Sequence, residues 1–271
     1  MLKITMWTKR LKTYFSQFYL FNALRILFAD LNRRIFDPFC IPSYSQTGED
    51  RLITSILGVV KTGFYVDVGC NHPQSYSNTF LLYKRGWKGI SIDANPQLIR
   101  KHQRLRYCDL SICAVVSDQE HEVVFTDFND SLVSSLSPGH VSKWERLRSI
   151  KSKRLVNTVS LHTILSNHNA PSRFDLLCID VEGHDLEVVT SLDFACFRPK
   201  LIVIEMHGFN LQSPRSCKTY CYLRSNNYTM VGFAIMNGYF LDASKRQSDI
   251  IESHQYSQDE DIYSSCDLTT D

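Results

Sequence analysis

Three carboxylates in this chain stand where short apolar runs break off. Asp67 follows Phe64-Tyr65-Val66 and leads into Val68-Gly69-Cys70-Asn71-His72. Asp93 closes Lys88-Gly89-Ile90-Ser91-Ile92 and leads into Ala94-Asn95-Pro96. Asp180 closes Phe174-Asp175-Leu176-Leu177-Cys178-Ile179, with a second acid, Glu182, two residues on. A fourth run, Leu201 to Ile204, ends in Glu205-Met206-His207. Short apolar runs bounded by glycine and polar residues read as strands buried on both faces, the kind found in parallel sheets. The ends of such strands lie side by side, so these groups converge on one edge, where open α/β sheets bind ligands. A single aspartate at a strand tip is most simply a solvated end. Several at neighbouring tips argue for a site.

The spacing narrows the ligand. Asp93 lies 26 residues after Asp67, close to the distance that places an acid on ribose hydroxyls in a βαβ nucleotide site. A pyrophosphate cofactor would want a G-x-G-x-x-G turn and bare amide groups at a helix N-terminus. Here the turn has the single glycine Gly69, useful for a tight bend, and Asp67 beside it would repel a diphosphate. A carboxylate there suits an adenosine cofactor carrying cationic groups. S-adenosylmethionine, with its ammonium and sulfonium, fits better than NAD.

Alternating elements must position these tips. Leu52, Ile53, Ile56, Leu57 and Val60 have helical spacing, with Glu49 and Asp50 in the favoured first turn. A polar turn, residues 73–79, precedes a helix from Phe80 to Lys84. Asn95-Pro96 reads as an N-cap followed by proline at the first helical position, opening a helix to about Leu105. Leu110 to Val116 reads as a third strand, Glu122 to Thr126 as the next and Leu155 to Leu161 as another, followed by a short helix around Leu165. Between them, Asn129 to Ser142 is serine-rich, and residues 143–154 carry six basic side chains against Glu145. Such insertions are often lids or substrate loops. The commonest meaning of the basic run is a solvated helix face, and no aromatic platform for nucleic acid accompanies it.

Composition agrees with an enzyme domain. A chain of 271 residues, 44% hydrophobic and 21% charged, can bury a sizeable core. Its net charge of +2 hides a polarised distribution. Residues 1–36 hold seven basic side chains against Asp30, and residues 249–271 hold seven acids with no Lys or Arg. The nine cysteines lack disulfide-like or zinc-like spacing, which points to a reducing, cytoplasmic compartment. From Trp7 to Phe36 aromatic and basic residues mix without a stretch long enough to span a bilayer. A helix there would pack on the main domain or on a second copy, or lie on an anionic membrane surface. The reading divides the chain into a helical segment over 1–43, a catalytic domain over 44–245 and an acidic tail over 246–271.

Taken in order, the motifs resemble the FkbM family of methyltransferases. The residues that carry the resemblance are Ser45-Gln46-Thr47-Gly48-Glu49-Asp50, Phe64 to Pro73, Ser77-Asn78-Thr79, Tyr83 to Gly89, Ile92 to Pro96 and Ile179 to Val188. The resemblance covers roughly 44–207, with a weaker tail to about 242. It implies a Rossmann-like class I methyltransferase fold: α/β, with a mostly parallel central sheet and helices on both faces. It also implies an antiparallel hairpin, which Tyr228 to Phe233 and Tyr239 to Leu241 could supply. It implies S-adenosylmethionine as cofactor and, in most relatives, O-methylation of a hydroxyl on a sugar or small natural product. The alternative is a binding or scaffold protein that has kept the fold without turnover.

By this resemblance and by charge, Asp67, Gly69 and Asn71 would face the methionine end of the cofactor, and Asp93 with Ala94 the ribose. Ser117, with Asp118, would lie near the adenine. Asp180 would border both cofactor and acceptor. Asp180, Glu182, Glu205 and His207 form the expected catalytic group, and His184 is as easily a surface helix residue. The spacing singles out no metal site, although Asp180, Glu205 and His207 are able to ligate a divalent ion. Expected partners are a small-molecule or glycan acceptor and no nucleic acid, with residues 1–36 free to contact a membrane periphery or another copy.

Overall fold

The computed structural model describes residues 11–36, 41–58, 60, 62–129, 135–136 and 138–244. The acidic tail, the first ten residues and part of the serine-rich stretch lie outside the described residues. Among the described residues the central sheet has seven strands in the order β3-β2-β1-β7-β8-β10-β9. These are β1 (Phe64–Val68), β2 (Lys88–Asp93), β3 (Leu110–Cys113), β7 (Arg173–Ile179), β8 (Arg198–Glu205), β9 (Tyr228–Ala234) and β10 (Asn237–Asp242). β1, β2, β3, β7 and β8 pair in parallel, whereas β10 runs antiparallel to β8 and β9. The fold is therefore α/β and Rossmann-like, with the chain reversing outward from β1 toward β2 and toward β7.

The strands divide their side chains between two cores, one on each face. Val66, Val68, Leu177, Ile179, Ile202 and Ile204 pack with Leu161 and Leu165 of the helix Leu161–Asn167 and with Val188 and Val189 of the helix Asp185–Thr190. Tyr65, Leu176, Cys178, Leu201 and Val203 pack with Ile53, Phe80 and Tyr83 on the other face. The two-residue strand period makes this split, and it explains why the runs read as unbroken apolar stretches.

The second core is closed by the N-terminal segment, helical over 11–17 and over Leu20–Phe36. Phe18 sits edge-on to Phe80 and Tyr83, with ring centroids 6.1 and 5.2 Å away. Asp30 accepts from the Lys84 ammonium at 2.8 Å and from the Tyr14 hydroxyl at 2.5 Å. Although burial raises Asp30, Lys84 holds it below the usual carboxylate range. The packing-helix reading therefore describes one face of this segment. Its other face exposes Phe21, Leu24, Phe28, Leu31 and Ile35. No described helix is long and apolar enough to cross a membrane.

Three expectations need correction. The strand read as Leu110 to Val116 breaks at Ala114, whose amide donates to the Asp93 carbonyl. Leu110–Cys113 stays in the central sheet, while β4 (Val115–Val116) joins a second sheet of order β4-β6-β5. In that sheet, β5 (Glu122–Phe128) runs antiparallel to β6 (Ile150–Val159). The basic run is thus no helix face. Pro138–Trp144 is a helix, but Lys151, Lys153 and Arg154 belong to β6, which starts five residues before the apolar signal at Leu155. Exposed on most of its length, that half of β6 had no buried face to betray it. The fourth run also ends earlier than read, at Glu205, leaving His207 beyond the strand.

Candidate functional site

The parallel strand tips open into one pocket, lined on its acidic side by Asp67, Gly69, Asn71, Asp93, Asp180 and Glu182. Gln46, Tyr76 and Asn78 border it, and its less polar wall is made of Ala94, Val115, Val116, Phe125 and Leu136, with His184 beside them. No Lys or Arg is among these described lining residues.

Gly69 makes the floor. Its φ is +79°, and a Cβ there would fall 1.8 Å from the Asp180 carbonyl oxygen, so only glycine lets β1 and β7 release their chains this close together. The next turn delivers Asn71, at φ +45°, whose amide donates to Asp93 Oδ2 at 2.9 Å. The Asn95 amide donates to Oδ1 at 2.7 Å. Two amides thus fix the Asp93 carboxylate at the pocket mouth. Burial pushes it up to about 6 against their pull, with Asp67 and Asp127 adding to the rise.

Asp67 is held from below. Its Oδ2 accepts from the Thr79 hydroxyl at 2.6 Å, and Thr79 Oγ1 accepts in turn from Arg106 at 2.8 Å. Arg106 is fully buried, and it also donates to Ser77 Oγ and the Pro73 carbonyl. Burial raises the Asp67 carboxyl, while Thr79 and Arg106 pull it back. Asp180 stands across from it, pushed up to about 6 by burial and by the charges of Asp67 and Glu49.

After Asp180 the chain makes a left-handed turn, with Glu182 at φ +55° and Gly183 at +89°. Asp185 pins this turn: its two oxygens accept from the Val181 and Gly183 amides, each at 3.0 Å. Ser135 donates to the Glu182 carbonyl at 2.8 Å. Glu182, Glu205 and His207 bring their ligand atoms within 4.8 Å of one another. Glu205 is buried at the end of β8, its Oε2 is 3.2 Å from His207 Nδ1, and that oxygen lacks a hydrogen-bond partner. Burial and the charges of Asp180, Asp185 and Glu182 push Glu205 up to about 10. His207 is lowered by burial and by Lys143, which keeps its imidazole neutral near pH 7.

Of the residues singled out in the sequence, Asp67, Gly69, Asn71, Asp93, Ala94, Asp180 and Glu182 line the pocket together. Glu205 and His207 do not line it; they meet Glu182 at its edge. Ser117 lies behind the wall, donating or accepting with His184 Nε2 at 3.0 Å. His184 itself lines the pocket rather than standing on the surface. The sequence reading missed Phe125, which lay in a strand read without a role, Leu136, which lay in the serine-rich stretch read only as an insertion, and Gln46 and Asn78, present in the motifs without a role. It also missed Arg106, whose burial no local pattern announces.

The family model described as the methyltransferase FkbM domain matches residues 67–230. No curated protein matches the chain.

Proposed function

The chain belongs to the FkbM methyltransferase family, and from that premise we propose that it transfers a methyl group from S-adenosylmethionine to a hydroxyl oxygen of a small hydroxylated acceptor such as a carbohydrate. The observation that carries this reading is the charge of the pocket. Four carboxyls, Asp67, Asp93, Asp180 and Glu182, line it without a Lys or Arg among the described lining residues. A diphosphate would be repelled there, whereas a cation is attracted. The donor set fits the cofactor: an acidic end for its ammonium and sulfonium, an amide-fixed carboxylate for ribose hydroxyls, and an apolar wall of Val115, Val116, Phe125 and Leu136 for a flat base.

When bound, the cofactor supplies an electrophilic methyl on a positively charged sulfur. The chain's own part is to hold, align and deprotonate. Asp93, fixed by its two amides, would accept hydrogen bonds from the ribose diol. Asp67, buttressed by Thr79 and Arg106, would hold the amino-acid end. Asp180 would take the acceptor's proton on its carboxylate as the acceptor oxygen gains the methyl group. A carboxyl raised to about 6 is still ionised at neutral pH yet holds a proton more firmly than an ordinary aspartate. Much of the rate comes from alignment alone.

Calorimetry with S-adenosylhomocysteine tests the reading. The wild-type chain is expected to bind it, and Asp93→Ala to weaken binding by about 5- to 150-fold, the equivalent of about 1–3 kcal/mol of lost hydrogen bonding to a charged group. Binding of NADH in its place, or unchanged affinity in Asp93→Ala, would remove the assignment.

A further inference from the structure

We propose that Glu182, Glu205 and His207 form a binding site for one divalent cation of the Mn²⁺ class, at the acceptor side of the pocket. Two carboxyl groups and one imidazole converge with ligand atoms within 4.8 Å of one another, the mixed oxygen and nitrogen set that first-row divalent ions take once the acids have given up their protons. The independent observation is Glu205 Oε2. It belongs to a side chain only 5% exposed, it lies 3.2 Å from His207 Nδ1 within the cluster, and among the described residues no hydrogen-bond donor is aligned on it. A buried carboxylate oxygen left without a donor is costly, and a cation supplies what the protein does not. The backbone is built for the same end. Asp185 locks the 181–183 turn through two amides, with Glu182 at φ +55° and a carboxyl oxygen within 4.8 Å of the ligand atoms of Glu205 and His207. His207 lies past the strand end, where its ring is partly exposed.

This inference rests on the methyltransferase reading only for its consequence. An acceptor oxygen coordinated there would be oriented and acidified, with Asp180 left to take the proton. The site itself stands on the side chains and is tested without cofactor. Electron paramagnetic resonance of the full chain titrated with Mn²⁺ reads free ion directly. We expect one saturable site per chain, weakened more than about tenfold by Glu205→Gln and by His207→Ala. The second variant covers misfolding of the first, because His207 is partly exposed. Calorimetry with S-adenosylhomocysteine should give the same affinity for both variants and for wild type. Absence of saturable Mn²⁺ binding, or binding that survives both substitutions, overturns the proposal. Mn²⁺ binding without S-adenosylhomocysteine binding would keep the site and sink the methyltransferase reading; the reverse result would do the opposite.

A second surface is carried by a different observation. Along the helix Leu20–Phe36, Phe21, Leu24, Phe28, Leu31 and Ile35 expose one continuous apolar stripe, while Ala23 and Ile26 are buried against the domain. We infer that this stripe docks on an anionic lipid bilayer. Residues 1–36 hold seven basic side chains against one acid, Asp30, which Lys84, Tyr14 and Arg33 take up, so the segment keeps a large positive excess. A second copy would bring the same positive charge against itself, whereas anionic headgroups complement it. In vesicle flotation the chain should bind phosphatidylcholine–phosphatidylserine vesicles, release as salt rises, and ignore phosphatidylcholine alone. The paired substitution Phe21→Ser with Phe28→Ser should abolish binding without changing S-adenosylhomocysteine affinity. Failure to bind the anionic vesicles, or a dimer in light scattering that the double variant dissociates, overturns it in favour of no docking or of self-association.

Discussion

Asp93 is the residue whose titration should be visible in solution. Its carboxyl faces Asp67 and, from the second sheet, Asp127, which Arg154 partly neutralises at 2.8 Å; the Asn71 and Asn95 amides oppose their effect. Because its value is raised to about 6, the free protein holds a proton there at mildly acid pH, and that proton must leave before a ribose diol meets a full carboxylate. Affinity for S-adenosylhomocysteine should therefore be flat above about pH 7 and fall about tenfold per unit below about 6, and Asp93→Asn should flatten the curve. Asp180 belongs to the chemical step instead. Asp180→Asn keeps the shape and removes the proton acceptor, so turnover should drop by about 10²–10⁴-fold, with S-adenosylhomocysteine affinity changed far less; equal losses in both would make Asp180 a binding group only. These aspartates were legible in the sequence because a strand tip is a fixed address: an apolar run, then an acid, then a polar or glycine turn. Arg106 and Phe125 were not, because their roles depend on what folds against them. Arg106 reaches Thr79, 27 residues away, from past the end of a helix, and nothing near it in the sequence marks it as buried.

Among elements, the N-terminal helical segment behaves as part of the domain. Phe18 is 1% exposed between Phe80 and Tyr83, and Gln17 donates to the Trp87 carbonyl at 3.2 Å. Phe18→Ala should cost about 3–5 kcal/mol, read as a lower urea midpoint with an unchanged slope; a loss under about 1 kcal/mol would mean the segment is only loosely attached. The strands of the central sheet were each found, three residues off at worst at the end of β3 and the start of β8, since burial on both faces writes itself as unbroken hydrophobicity. The second sheet was read poorly for the opposite reason. β6 carries Lys151, Lys153 and Arg154 because it is a wall facing solvent on much of its length, and charge along a strand looks like a helix face or a loop. Yet this wall is tied to the site: besides Asp127, Arg154 bonds the carbonyl of Ala94, a residue of the pocket.

At the scale of the whole molecule, the pocket is a seam between two sheets, with β1, β2 and β7 tips on one side and Val115, Val116 and Phe125 on the other. A ligand seated in the seam holds both, so S-adenosylhomocysteine at about a hundred times its dissociation constant should stabilise the chain by about 2.7 kcal/mol, raising the melting temperature by about 5–10 °C for a protein of this size. Differential scanning fluorimetry checks this, and Asp93→Ala at the same ligand concentration should lose most of the shift. The fold class was legible as a whole because the βα alternation repeats and the motifs follow one another in order; the strand order came from the structure. The placement of β1 between β2 and β7 inside the sheet has a further consequence, for synthesis. The Phe64 amide bonds the Asp175 carboxylate, 111 residues further along the chain. At about 5–20 residues per second, β1 waits on the order of 5–20 s on the ribosome with one edge unpaired. An apolar strand held open that long invites pairing with a stranger, so the nascent chain should need a chaperone most acutely between the emergence of β3 and that of β7.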